Sequence, residues 1–139
     1  MADSLNVAIV SAVSAMRAQS ARLRVVSENL ANANVTAAVA GGDPYARKTV
    51  SFKEELDRAS GASIVTLNGI GTDKSPFRVD HDPGHPAADS AGNVKLPNVN
   101  PLIELSDMRE AHRSYEANLQ VVRQAREMIG ELIDLLKGR

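Results

Sequence analysis

The turn-forming residues of this chain are gathered in its middle, and that distribution constrains the fold more than any other feature. Seven of the nine glycines and five of the six prolines fall between positions 36 and 100. Long helices are therefore expected at both ends and none in between. The ends carry the matching periodicity. Leu5, Ile9, Ala12, Met16, Gln19, Leu23, Val26 and Leu30 follow alternating steps of four and three, a heptad seam that is apolar everywhere except Gln19. Leu105, Met108, His112, Tyr115, Leu119, Val122, Arg126, Ile129, Ile133 and Leu136 keep the same rhythm, with polar residues at His112 and Arg126.

The C-terminal helix has a legible start. Asn100 is placed to cap the free amides, Pro101 suits the first turn, and Glu104 faces the positive end of the helix dipole. Lys137, Gly138 and Arg139 mark its end. Between the helices, Thr49–Phe52, Ser63–Leu67, Phe77–Val79 and Val94–Leu96 are short β-branched or apolar runs separated by turn residues. The 139 residues suit one structural domain. It divides into an N-terminal heptad helix over 1–35, a Gly/Pro-rich β and loop insert over 36–99, and a C-terminal heptad helix over 100–139. The fold class is mainly α with a small β-rich insert.

A helix of roughly 28 residues is about 40 Å long, further than this insert can cover. Each Leu, Ile or Met of an uncovered seam forfeits roughly 1.5–3 kcal/mol. The two helices must therefore pair as a coiled coil, either as a hairpin within one chain or with partner chains, and the pattern leaves both open. Gln19, His112 and Arg126 at seam positions suit register control, or else a seam edge that faces water.

Composition removes several function classes. Hydrophobic residues make up 43% of the chain but aromatic ones only 3%, so the core is aliphatic. A formal charge of -1 leaves no excess for gripping nucleic acid or an anionic membrane. With no cysteine there is no disulfide, thiolate metal site or thiol nucleophile. The uncharged run Ser4–Met16 fails as a signal peptide, because Asp3 stands where a basic leader belongs and Asn6 and Ser11 interrupt the apolar stretch.

No set of residues makes a convincing catalytic or cofactor site. Asp80, His81, Asp82, Pro83, Gly84 and His85, with Asp89, form the densest polar cluster. A type II turn at Pro83 and Gly84 would draw His81 and His85 together, and two imidazoles with carboxylates could hold zinc, but a helical H-x-x-x-H pair is missing and the one further histidine is the distant His112. The plain alternative is an exposed structural turn, with Gly84 at a positive φ. A calcium loop fails, with His85 where glycine is needed and Ala91 where glutamate is. Gly69-Ile70-Gly71 lapses as a dinucleotide fingerprint at Lys74, and no G-x-S-x-G elbow is present. Tyr45, Arg47 and Lys48 read as a solvated strand edge.

Ser14–Gln19, Arg22, Leu23 and Asn29–Asn34 resemble the N-terminal signature of flagellar rod and hook axial proteins. Gly41, Gly42, Pro44, Tyr45, Arg47 and Lys48 extend the likeness, as do Asp82–Pro86 and Leu96–Asn100. Met108, Arg113 and Tyr115–Asn118 match the family's closing helix. Val35, His81 and Asn93 depart from the usual pattern, and Asp43 is inserted. The resemblance implies a structural subunit of the proximal rod of the basal body, without catalysis, cofactor, metal or small-molecule substrate, which assembles into a helical rod and transmits motor torque across the periplasm. Its implied partners are other rod subunits, further copies of itself, the adaptor between rod and membrane ring, and the flagellar type III export apparatus, through which it passes without signal-peptide cleavage. The implied assembly surfaces are Leu5, Ile9, Ala12, Met16, Gln19, Leu23, Val26, Leu30, Asn32 and Asn34 on the first helix. On the second they are Leu105, Met108, His112, Tyr115, Asn118, Leu119, Val122, Ile129, Ile133 and Leu136. Pro83 and Gly84 are the structural turn that sets the entry of the second helix.

Overall fold

The computed structural model describes residues 2–138; Met1 and the expected terminal Arg139 lie outside the described residues. Two helices bracket four strands: α1 (Ala2–Ala31), β1 (Lys48–Asp57), β2 (Ala62–Thr72), β3 (Arg78–His81), β4 (Asn93–Leu96) and α2 (Pro101–Leu136). This is the expected mainly α fold with a small β insert. The strands form two separate two-stranded sheets, β1 with β2 and β3 with β4.

All four expected strand segments are present, but the first two grow into a long ribbon. Its tip is closed by Gly61 at φ 70°, whose amide donates to the Asp57 carbonyl at 2.7 Å. The Ser60 hydroxyl donates to the Asp57 carboxylate at 2.5 Å and fixes the turn. The polar stretch Lys53–Asp57 hid the strand from an apolar reading, since alternation is legible only where one face is buried.

The chain forms two compact units. The first comprises Met1–Leu23, Ser51–Gly69 and Glu110–Arg139. Here α1 is held to β2 through two serines: Ser11 donates to the Ser63 carbonyl at 2.7 Å, and Ser14 accepts from the Val65 amide at 3.1 Å. Ala18, one turn further along the same face, is buried. Ala12 on the neighbouring face, and Ala111, Val122 and Ala125 of α2, are also buried.

The second unit comprises Arg24–Val50 and Ile70–Arg109. Val25, Val26, Ala33, Val94 and Val99 are buried in it. Strands β3 and β4 are antiparallel, with Arg78 opposite Leu96 and His81 opposite Asn93. The start of α2 is built as its sequence indicates: the Asn100 side chain accepts from the Leu102 amide at 3.0 Å, and its carbonyl accepts from the Glu104 amide at 3.1 Å.

Candidate assembly surfaces

On α1, no seam residue from Leu5 to Leu30 is exposed: Ala12 and Val26 are buried and the others are half-buried. Asn32 caps the helix end by donating from its side chain to the Glu28 carbonyl at 2.8 Å, and Asn34 is exposed. The first stripe is thus largely sheltered by the chain itself.

The second stripe lies differently. Val122 is buried, and Met108, Tyr115, Asn118, Leu119 and Ile129 are half-buried. Leu105, His112, Ile133 and Leu136 are exposed, and His112 Nδ1 lies 3.4 Å from the carboxylate of Glu116, one turn away. The positions that bury instead are Glu104, Ala111 and Ala125, with Asn118 and Leu132 half-buried on the same row. On alternate steps the buried row therefore runs one residue earlier than the row of largest apolar side chains.

A second apolar row appears on the uncovered side of α2. Val121, Met128 and Leu135 recur every seven residues and are 45, 41 and 72% exposed. Val121 and Met128, with Ala125, line an open groove of about 370 Å³ shared with Leu5 and Ala8 of α1. Sequence reasoning missed this row, although its seven-residue spacing is as regular as that of the seam.

In the second unit the ends of the helices are locked by a buried polar cluster that the sequence did not announce. Glu104, assigned only a dipole role, is fully buried. One carboxylate oxygen takes Arg47 Nε at 2.6 Å, and the other accepts from Asn29 Nδ2 at 3.1 Å. The same guanidinium reaches Asp73 at 3.7 Å and Asp107 at 3.8 Å. Asn29, also fully buried, uses its whole hydrogen-bonding capacity. Its oxygen accepts from the Tyr45 hydroxyl and the Lys48 amide, both at 2.8 Å, and its nitrogen donates to the Lys48 carbonyl at 2.9 Å as well as to Glu104. Burial, then the charges of Glu28 and Glu104, push the Tyr45 phenol up. Arg47 and Lys48 are therefore structural ties, and the reading of Tyr45, Arg47 and Lys48 as a solvated strand edge is corrected.

The histidine-rich turn is also corrected. The His85 amide donates to the Asp82 carbonyl at 3.1 Å, so a turn is present at Pro83 and Gly84. Gly84 does not have a positive φ, which excludes a type II turn. The left-handed residue is Gly92, at φ 80°, where an added Cβ would lie 2.9 Å from Pro83 Cγ. Asp82 and its Asx interaction with the Gly84 amide, at 3.2 Å, favour the tighter form. Each imidazole has a local partner: His81 Nδ1 lies 3.2 Å from Asn93 Oδ1, and His85 Nδ1 accepts from the Ala87 amide at 3.0 Å. Among the described residues no three His, Asp or Glu side chains converge on a metal-sized space, and no helix is long and apolar enough to cross a membrane.

Comparison with known proteins matches both ends of the chain to flagellar families. A family described as flagella basal body rod protein matches residues 9–38, and the C-terminal family of the flagellar basal body rod FlgEFG proteins matches residues 90–135. The chain is 55% identical over 136 residues to the flagellar basal-body rod protein FlgC of Agrobacterium fabrum, covering 98% of each chain. It is 36% identical to FlgC of Salmonella typhimurium over 88% of this chain and 90% of that one. Identity to FlgC of Bacillus subtilis is 35%, over 96% and 97% respectively. The chain belongs to the FlgC family of flagellar basal-body rod proteins and is a structural, non-enzymatic subunit of the basal-body rod.

Proposed function

We propose that this chain polymerises through its terminal helices within the proximal part of the rod, where the packed helices carry motor torque across the periplasm. The observation that carries this reading is the uncovered row Val121, Met128 and Leu135, together with exposed Leu105, Ile133 and Leu136. Leaving such side chains in water forfeits roughly 1.5–3 kcal/mol each, a loss that neighbouring helices recover on assembly. The seam residues of α1 and α2 then form coiled-coil contacts, with α1 stiffened from within and α2 presenting the larger free surface.

The partners of this reading are further copies, other rod subunits, and the adaptor between rod and membrane ring. Export through the flagellar type III apparatus without cleavage of a leader is supported by the place of Ser4–Met16. That run forms part of α1, and its Ser11 and Ser14 tie the helix to β2. Removing it would remove those ties.

The test is Val121→Asp as the only copy of the gene. Val121 is exposed, so stability should shift by no more than about 0.5 kcal/mol. Swimming and the rods in isolated basal bodies should be lost. Normal rods built from that variant would contradict the reading.

A further inference from the structure

The last two turns of α2 carry several uncovered apolar side chains. Ile133, Leu135 and Leu136 are exposed, Leu136 by 87%. Ile133 and Leu136 lie three residues apart and share a face; Asp134 and Lys137 flank that face with the same spacing. The segment is therefore a short apolar ridge edged by an anion and, one turn on, a cation.

The same compact unit holds a recess of matching character. Ile9, Val10 and Val13 of α1 and Ile64 of β2 line an open groove of about 360 Å³, with Arg17 and Asp57 at its edge. Arg17 is exposed, and its guanidinium has no ion-pair partner among the described residues. Asp57 accepts from the Ser60 hydroxyl and the Ala59 amide but faces no cation among them. The groove thus offers an aliphatic floor, one unpaired cation and one unpaired anion.

We propose that the α2 end of one copy seats in the α1–β2 groove of a second copy. Ile133 and Leu136 rest on the floor, Asp134 meets Arg17, and Lys137 meets Asp57. Ridge and groove are different patches of one molecule, so the contact is heterologous: each copy that offers its ridge keeps a free groove, and the contact propagates from copy to copy into a ring or helix rather than closing a dimer. The proposal rests on the rod reading above and specifies one contact within it.

Charge reversal tests it in cells that carry a single gene copy. Arg17→Glu and Asp134→Arg should each lower the number of rods at least about tenfold, since like charges then meet at the contact. The double variant should recover most of the loss. Single variants that swim normally would overturn the proposal, as would a double variant no better than the singles while circular dichroism shows all three folded. If a reversal unfolds the chain, cross-linking decides. The chain has no cysteine of its own, so Val10→Cys combined with Leu136→Cys should give a ladder of disulfide-linked multimers in oxidised basal bodies. Monomer alone would overturn the proposal. Val121→Asp separates the two readings: rods lost there but kept in the reversals defeat only this contact, whereas rods kept in Val121→Asp defeat assembly through α2 itself.

Discussion

Arg47 Nε lies 2.6 Å from Glu104 Oε1, joining the start of β1 to the first turn of α2 across 57 positions of sequence. Glu104 is fully buried and Arg47 is about one-quarter exposed. Removing the cation leaves a carboxylate in the interior with only the Asn29 amide and the helix N-terminus for support. Arg47→Met is therefore expected to cost about 3–5 kcal/mol. The exposed pair of Lys53 and Glu55 is the control, and Lys53→Met should cost less than about 1 kcal/mol. Urea denaturation midpoints of the two variants check the contrast.

Asn29→Ala strands the Lys48 amide and carbonyl and the Tyr45 hydroxyl at once. The expected loss is about 1–3 kcal/mol, the penalty for buried polar groups left without partners. Amide exchange should report it locally, with the Lys48 amide exchanging faster than in the parent protein.

Two glycines eight residues apart in the β3–β4 region should behave oppositely. Gly92→Ala forces a side chain into a left-handed position and into Pro83, which should destabilise by about 1–3 kcal/mol. Gly84→Ala meets nothing nearer than Asp82 Oδ1 at 3.6 Å and should be neutral or slightly stabilising. Thermal unfolding of both variants tests the assignment of the constrained position to Gly92.

What the sequence made legible, and what it did not, follows one physical division. The ends of α2 were readable because Asn100, Pro101 and Gly138 act on their own backbone neighbourhood. The helices and the strand segments were readable because period and turn residues are local. The burial of Glu104 was not, since its partners Arg47 and Asn29 are brought to it only by the fold. On α2 the buried row and the heptad stripe coincide at Val122 and part at Leu105, His112 and Ile133, because period and hydrophobic size mark a stripe without telling which side of the helix the chain itself covers. The turn at Pro83 and Gly84 was read correctly as a turn but in the wrong form, because Asp-Pro-Gly permits either and the crowding at Gly92 is a contact between separate segments.

Acid should loosen the β3–β4 loop. The Asn93 amide foremost, then the Ala91 amide and the Lys95 charge, hold the Asp89 carboxyl below the usual carboxylate range, against the opposing effect of desolvation. A depressed folded value means that this stabilisation is complete above about pH 4, the unfolded value, and is lost as pH falls through the folded one. Asp89→Asn should therefore lower the melting temperature at neutral pH, and the difference from the parent should shrink as the pH is brought below the folded value. A difference that stayed constant with pH would remove the carboxylate from the account.

Chemical labelling tests the central claim, that the free apolar row of α2 is covered only in the assembled rod. Because the chain is naturally free of cysteine, single Val121→Cys, Met128→Cys and Leu135→Cys variants that still swim can be treated with a maleimide, once as purified protein and once in isolated basal bodies. The account predicts fast labelling of all three in the free chain and strong protection in the rod. Equal labelling in both states would contradict it.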